Sequence, residues 1–473
     1  MTCSAKMGKF YFIKAIHLIL LLVSVLITGC SGDNPVRPDN SEEEEPNVQF
    51  EQYGEPFENV PEIRDVAMYE VNPKVFSSSK DLNGITQNLE RIKELGINTV
   101  WVMPIYPTGE ERSVGSPYAI KDFMSVNPEY GTLEDLRNLT DKAHSLDMAV
   151  ILDWVANHTA WDHEWITGNP QYYQTDSNGN IIHPPGTNWM DVAQLNFSSQ
   201  DMRREMINAM KYWVLEANID GFRFDYATGV PGNFWSLAID ELREIPNREL
   251  ILFAETANKE LLDSGFDMIF GWPYYGTLLE AFAGGSADGL DTGHLQEYSG
   301  LQEEKEVVRW VTNHDQHAWD GSPIEIFGGE QPAISAFVAA TYSGGVPLLY
   351  NGQELGITTS IPFFEGSDYT INWDTNSDYR EEYLKILNYR AETEVLRSGE
   401  YKSLFSDASV AGFMRYSESD TVFTFINTEY SEQTISLPKE LQNSQITNVM
   451  TGEIIQLGEL LQMDSYQYLI LNR

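Results

Sequence analysis

From Ile63 onward, short apolar runs alternate with stretches in which apolar residues recur every three or four positions. The runs are Val66–Asn72, Ile97–Met103, Met148–Val155, Ile219–Asp225, Leu250–Glu255, Phe266–Phe270, Val307–Thr312 and Val346–Tyr350. Each is nearly continuously apolar, the pattern of strands buried on both faces of a parallel sheet. Between them the spacing is helical. Ile85, Leu89, Ile92 and Leu95 keep it after the first run, and Gly96 follows at the C-cap position. Thr132 caps another stretch, with Asp135 three residues on and Leu133, Leu136, Leu139, Ala143 and Leu146 behind it. Met206, Met210, Trp213 and Ala217 repeat the pattern before the fourth run. Strands alternating with helices in this way predict an α/β fold, a (β/α)8 TIM barrel over residues 61–393.

The alternation breaks twice. Residues 159–198 show no steady period and are rich in Trp, Asn, Gly, Pro and His. A connection of that length is usually functional, and it reads as a short inserted loop domain over the barrel mouth. After about Glu394 the helical spacing stops. Ala411–Tyr416, Val422–Asn427, Gln433–Leu437, Ile446–Met450, Glu453–Leu457 and Tyr466–Leu471 predict a C-terminal antiparallel β-sandwich domain over residues 394–473.

The first thirty residues have a different character. Lys6, Lys9 and Lys14 precede a mostly apolar run from Ala15 to Ile27, interrupted by His17. That run is short for a membrane span and matches the core of an export signal. Leu26-Ile27-Thr28-Gly29-Cys30 looks like a bacterial lipoprotein cleavage box, with Cys30 as the lipidated first residue of the mature chain. Residues 31–60 carry Pro35, Pro38, Pro46, Pro56 and the acidic run Glu42 to Glu45, and read as a loose tether. The expected location is therefore a bacterial membrane, most readily the outer one, on its surface or its periplasmic face, with the lipid as the sole membrane contact.

Composition narrows the partners. With 42% hydrophobic and 12% aromatic residues the chain can bury sizeable cores. A net charge of −41 argues against nucleic acid and anionic lipid surfaces and is compatible with a neutral polymer. The two cysteines, Cys3 and Cys30, both precede the folded part, so no disulfide staples the fold.

Three carboxylates then stand out, each where an apolar run stops: Asp225 in GFRFD, Glu255 in LILFAE and Asp315 in VTNHD. In a parallel barrel such positions open onto one face, and that face carries the chemistry. Cleaving a glycosidic bond takes one carboxylate as nucleophile and one carboxylic acid as proton donor. Arg223 lies two residues before Asp225 on one strand, on the same side, and should hold it ionised. Glu255 ends an apolar strand, where partial desolvation suits a group that must keep its proton. His314 beside Asp315, and Asp153, Asn157 and His158 after the third run, add polar groups on the same rim. Tyr118, Trp154, Trp161, Trp165, Tyr172, Trp189, Tyr226, Trp319 and Tyr350 lie near the same strand ends, where aromatic rings stack on the apolar faces of sugars or simply pack the core.

At these residues the chain resembles the α-amylase family of retaining glycoside hydrolases. Asp153-Trp154-Val155-Ala156-Asn157-His158, Gly221-Phe222-Arg223-Phe224-Asp225, Phe253-Ala254-Glu255 and Asn313-His314-Asp315 are similar to its four signature regions. Asn83-Gly84-Ile85, Asn127-Pro128-Glu129-Tyr130-Gly131-Thr132 and the stretch from Gly345 to Glu354 are also family-like. The resemblance implies Asp225 as nucleophile, Glu255 as acid/base and Asp315 as the carboxylate that grips and distorts the sugar. It places Arg223, His158 and His314 in the same subsite, with Tyr118 as its stacking platform. It also implies double displacement, with nucleophile and acid about 5–5.5 Å apart.

Two features depart from the familiar pattern. Many members carry Lys-His third and fourth after the nucleophile, on the leaving-group side; here these are Thr228 and Gly229. The fifth signature reads Val192-Ala193-Gln194-Leu195-Asn196. No cofactor is expected for the chemistry. Asn157 and Asp191 are candidate oxygen ligands for a structural calcium ion. The expected substrate is an α-1,4-linked, starch-like glucan or a maltooligosaccharide. An α-1,6-acting glucosidase, a neopullulanase or a glucanotransferase fits the same residues, and a non-catalytic surface glycan-binding protein is the alternative of another class.

Overall fold

All eight apolar runs form strands: β1 (Met68–Val71), β2 (Thr99–Val102), β3 (Ala149–Trp154), β4 (Gly221–Phe224), β5 (Ile251–Ala254), β6 (Met268–Phe270), β7 (Glu306–Arg309) and β8 (Val346–Tyr350). Each pairs in parallel with its neighbours, and β8 closes on β1 through Met68 opposite Leu348 and Glu70 opposite Tyr350. The structure is a computed structural model describing residues 50–364, 368–374 and 377–473. The export signal, Cys3, Cys30 and the start of the tether lie outside the described residues.

Burial on both faces explains the continuous apolar runs. One set of side chains fills the barrel: Met68, Trp101, Ile151, Ile251, Phe253, Met268, Phe270 and Leu348. The alternate set, including Tyr69, Val100, Leu152, Phe222 and Leu252, packs outward against helix residues such as Leu136, Leu139, Met206 and Trp213. Fully burying a side chain of this size contributes roughly 1.5–3 kcal/mol. Those outer helices begin where the sequence marks them. Thr132 and Asp135 form a reciprocal capping box at the start of Leu133–Ser145, and the Ser199 side chain caps Gln200–Glu216.

The inward face changes character over one two-residue step. Met68 is followed on its own side by Glu70, Ile151 by Asp153, Gly221 by Arg223, and Phe253 by Glu255. An apolar layer thus supports a charged layer at the carboxyl ends of the strands. Gly221 allows the closest approach within that wall. Its φ is 146°, and a Cβ there would overlap the backbone carbonyl of Ile251 on β5.

Residues 159–198 form the expected excursion. His158–Ala160 pairs antiparallel with Val192–Gln194, and a short helix, Glu164–Gly168, lies between. Beyond the barrel a helix, Glu394–Ser398, carries the chain past residue 394 before the β domain begins. That domain is a six-stranded antiparallel sheet with a two-stranded ribbon. Ile435 and Met463 of the ribbon pack with Phe423, Phe425 and Leu471 of the sheet. Glu400–Ser403 and Leu460–Met463 are further strands that the apolar pattern does not signal, because their residues are mostly exposed or half-buried.

The tether is shorter than its composition suggests. Residues 50–60 lie along the barrel: Phe57 stacks on His144, Tyr53 N–H donates to the Leu215 carbonyl, and Phe57 and Val60 pack against the barrel-filling cluster. Three aromatic residues in this polar stretch, Phe50, Tyr53 and Phe57, supply the apolar surface that holds it down.

Gly221→Ala is expected to destabilise the fold by about 3 kcal/mol or more, since both a strained φ and a backbone overlap must be relieved. Urea unfolding of the variant measures this; a midpoint equal to wild type would show that the strand pair can part without loss.

Candidate active site

The charged layer is organised by one guanidinium. Arg223, on β4 and 1% exposed, donates from Nη1 to Asp153 Oδ1 at 2.8 Å and to Asp225 Oδ1 at 3.0 Å, and its Nη2 lies 2.9 Å from Glu255 Oε2. Its plane lies near the rings of Trp101 and Tyr118. Asp153 is fully buried and also accepts from Trp101 Nε1 and from the Tyr118 hydroxyl, each at 3.1 Å. Glu255 Oε2 accepts a second bond, 2.7 Å long, from the Tyr226 backbone N–H. Tyr226 presents that N–H from a left-handed conformation, φ 41°.

Asp225 and Glu255 are partly open to the cleft, at 13% and 20% side-chain exposure. Arg223 lies beside Asp225, as the strand spacing places it, and favours its charged form. Burial pushes the Asp225 carboxyl well above the usual carboxylate range, Glu255, Asp153 and Asp315 push the same way, and Arg223 pulls against them. The arginine is divided among three carboxylates, so its effect on any one is diluted.

The remaining predicted residues surround this centre. Asp315 follows Asn313, whose side chain caps the short helix His314–Trp319 and receives the N–H groups of Asp315 and Gln316. Asp315 is thus held by a helix start rather than by β7 itself, which ends at Arg309. Tyr118 hydroxyl lies 2.9 Å from His314 Nε2, and its ring is near-parallel to the His314 and Phe363 rings. His158 is buried, and burial pushes its imidazole down to about 4, so it is neutral near pH 7. Tyr118, His158, Asp225, Glu255, His314 and Asp315 all line one cleft of about 1130 Å³.

The inserted loop forms one wall of the cleft with Trp161, Ile181, His183, Trp189 and Met190; Trp319, Phe363 and Phe364 form another. Trp319 is 62% exposed there and Met190 61%. At the position where many relatives of this pattern carry histidine, Gly229 lies beneath the Tyr226 ring, which a Cβ would overlap. Tyr226 in turn meets Trp189 edge-on at 5.0 Å. An aromatic pair therefore occupies the side of the cleft next to Glu255.

The calcium candidates fare differently. Asp191 lines the cleft, whereas the Asn157 side chain is bound to a neighbour. Gln194 Nε2 donates to the Asn157 carbonyl at 3.0 Å, to Asn157 Oδ1 at 3.2 Å and to the Leu195 carbonyl at 3.1 Å. Three oxygens that could hold a cation converge instead on one amide. Among the described residues, no group of three or more His, Cys, Asp or Glu side chains is placed to hold a metal ion.

Glu70 is the site residue that the sequence reading missed. It is fully buried on β1 and bonded to His314 Nδ1. Its signal was a lone charge inside Met68–Val71, a strand otherwise apolar on both faces.

A buried arginine shared by two cleft-lining acids, with a third acid in the same cleft and aromatic walls, is the equipment of a glycosidase. Comparison with known proteins agrees. The family description "Alpha amylase, catalytic domain" matches residues 70–188. Alpha-amylase 3 of Dictyoglomus thermophilum is 24% identical, over 84% of this chain and 91% of that protein. An oligo-1,6-glucosidase of Parageobacillus thermoglucosidasius is 23% identical, over 80% and 81%. The crystal structure of a noncanonic maltogenic alpha-amylase from Thermotoga neapolitana superposes with a TM-score of 0.76 at 27% identity, over 87% of this chain and 99% of that one. Residues 70–188 thus match an alpha-amylase catalytic domain, the barrel is similar to those of alpha-amylases, and the chain is a glycosidase.

EDTA is expected to leave Tm unchanged, because an amide already satisfies the oxygens around Asn157. Gln194→Ala should lower stability by about 1–3 kcal/mol, the cost of leaving buried acceptors unpaired. Thermal unfolding with and without chelator checks both; a fall in the wild-type Tm on chelation would show that a cation holds this loop.

Proposed function

We propose that this protein hydrolyses α-1,4 links of starch-like glucans or maltooligosaccharides with retention, using Asp225 as nucleophile and Glu255 as acid/base. The observation that carries this reading is the contact of Arg223 with both acids. In the first step an Asp225 oxygen attacks the anomeric carbon while Glu255 gives its proton to the departing glycosidic oxygen. Asp225 loses its charge to the new ester bond, and Glu255 becomes the carboxylate. In the second step Glu255 takes a proton from water, the water oxygen attacks the same carbon, and Asp225 leaves as carboxylate. One negative charge passes between two acids bound to a single guanidinium, so the counterion need not move. That is the kind of fixed electrostatic support that lowers a barrier without reorganisation.

Asp315, lining the same cleft, grips hydroxyls of the sugar being cleaved, with His314 and His158 in the same subsite and Tyr118 beneath it. Phe363, Trp319 and Trp189 extend the aromatic surface away from the carboxylates, which suits a substrate of several glucose units.

A second reading keeps the same residues and changes the product. The Tyr226–Trp189 pair over Gly229 reshapes the leaving-group side, where linkage and acceptor are chosen. An α-1,6-acting glucosidase, a neopullulanase or a glucanotransferase would use that reshaped side. The location proposed is a bacterial membrane, most readily the outer one, with Cys30 lipidated and residues 31–49 as spacer; this rests on the cleavage box and the apolar run before it. Among the described residues, no helix is long and apolar enough to cross a membrane.

Soluble starch, pullulan and maltooligosaccharides separate the readings. Short maltooligosaccharides from starch, α-anomer first, are expected; panose, isomaltose-type products or chain lengthening would move the assignment to the second. Glu255→Gln should lower kcat by about 10²- to 10⁴-fold and Asp225→Asn should abolish turnover. Near wild-type turnover in Asp225→Asn would overturn the assignment. Cys30→Ala should move the protein from the detergent phase to the aqueous phase in a detergent partition of cells; no change would remove the anchor.

A further inference from the structure

Glu70 has no part in the two-step mechanism, yet it is a fully buried carboxylate bonded to His314, which lines the cleft. Its Oε1 is bonded to His314 Nδ1, and its Oε2 accepts the His314 backbone N–H at 3.3 Å. The other ring nitrogen, Nε2, faces the Tyr118 hydroxyl at 2.9 Å, and that hydroxyl lies 3.1 Å from Asp153 Oδ2.

The proton count in this chain is restrictive. Tyr118 has one hydroxyl proton and two neighbours that could accept it. Asp153 already collects donors from Arg223 and Trp101 and is the natural acceptor of the third. A neutral His314 bonded to Glu70 through Nδ1–H would carry a bare lone pair at Nε2, facing an oxygen whose proton points elsewhere. With protons on both nitrogens, every contact becomes a donor meeting an acceptor: Nδ1–H to Glu70, Nε2–H to the Tyr118 oxygen, and Tyr118 O–H to Asp153.

We propose that Glu70 is a positioning residue that keeps His314 doubly protonated, so that a cationic N–H faces the subsite where the sugar is cleaved. The proposal rests on the hydrolase reading for its kinetic consequence and on the hydrogen-bond chain alone for its protonation state.

The surroundings favour it. His314 is packed between Trp101, Tyr118 and Phe363, and the charged groups facing it are Glu70, Asp315, Arg223 and Asp153. Burial opposes the charged ring, but Asp315 and Glu70 outweigh burial and Arg223, and hold it up to about 9. Burial raises the Glu70 carboxyl while His314 draws it back down. The cation has work to do at Nε2. It is 3.7 Å from Asp315 Oδ1, so its charge offsets an acid that lies beside three others at the subsite.

The test uses protein labelled with 13C at histidine Cε1; the chain has eight histidines, and His314→Asn identifies the signal. In wild type the His314 signal should keep its imidazolium position at pH 8. In Glu70→Gln it should titrate near the ordinary value of about 6.5. If Nε2–H is what substrate needs, kcat/KM of Glu70→Gln should match wild type at pH 5 and be roughly thirtyfold below it at pH 8, one and a half pH units past that value. Glu70→Asp, which keeps the charge, should restore part of the loss. A wild-type His314 that is neutral at pH 8 would overturn the proposal, as would an unmoved titration in Glu70→Gln or an equal loss of activity at every pH. If wild type hydrolyses no glucan, the hydrolase reading falls while the labelled titration still decides the state of His314.

Discussion

The active site depends on a single buried cation. Arg223 lies inside the barrel wall, almost wholly out of water, and contacts Asp153, Asp225 and Glu255. A guanidinium so placed is stable only when paired, and the carboxylates around it would repel one another without it. The dependence is mutual. Its planar fork reaches several acids at fixed spacing, which an ammonium group on a flexible stem does not do. In the mechanism proposed here, charge passes from Asp225 to Glu255 while the counterion stays in place.

The barrel supplies what the arginine needs. Its interior is filled by Ile151, Ile251, Phe253, Phe270 and their neighbours, so the floor beneath the charged layer is dry and rigid. One step up each strand, the same inward face carries Glu70, Asp153, Arg223 and Glu255, with Asp225 one step beyond Arg223. Close strand contact at Gly221, where a side chain would overlap Ile251, keeps β4 and β5 near enough for one guanidinium to serve both. Outside this layer the connections vary: the inserted loop and the segment around Phe363 build aromatic walls, and Tyr226 over Gly229 narrows the side next to Glu255. The scaffold thus fixes the reaction, and the loops set the shape of the chain that reaches it.

Much of this was legible in the chain. Continuous apolar runs separated by helical spacing defined all eight barrel strands, because burial on both faces keeps most positions apolar and confines the charges to a few, such as Glu70, Asp153 and Arg223. Acids at the ends of those runs announced a common rim, and four short motifs announced the chemistry. The β domain was less legible. Glu400–Ser403 is exposed or half-buried throughout, so its sequence carries no period that marks a strand. The stretch from Phe50 to Val60 looked like spacer by composition, and three aromatic rings pin it to the barrel.

Sequence by itself determined the fold class and the placing of three acids on one rim, because hydrophobic period and strand-end position are local properties that survive without coordinates. Only the tertiary structure decided how the charges are shared. That Arg223 serves three acids, that Gln194 fills the oxygen cluster at Asn157, and that Glu70 meets His314 across 244 residues of chain are facts of convergence. Hydrogen bonds and Coulomb interactions act over a few ångströms in space, and the sequence orders residues along a line.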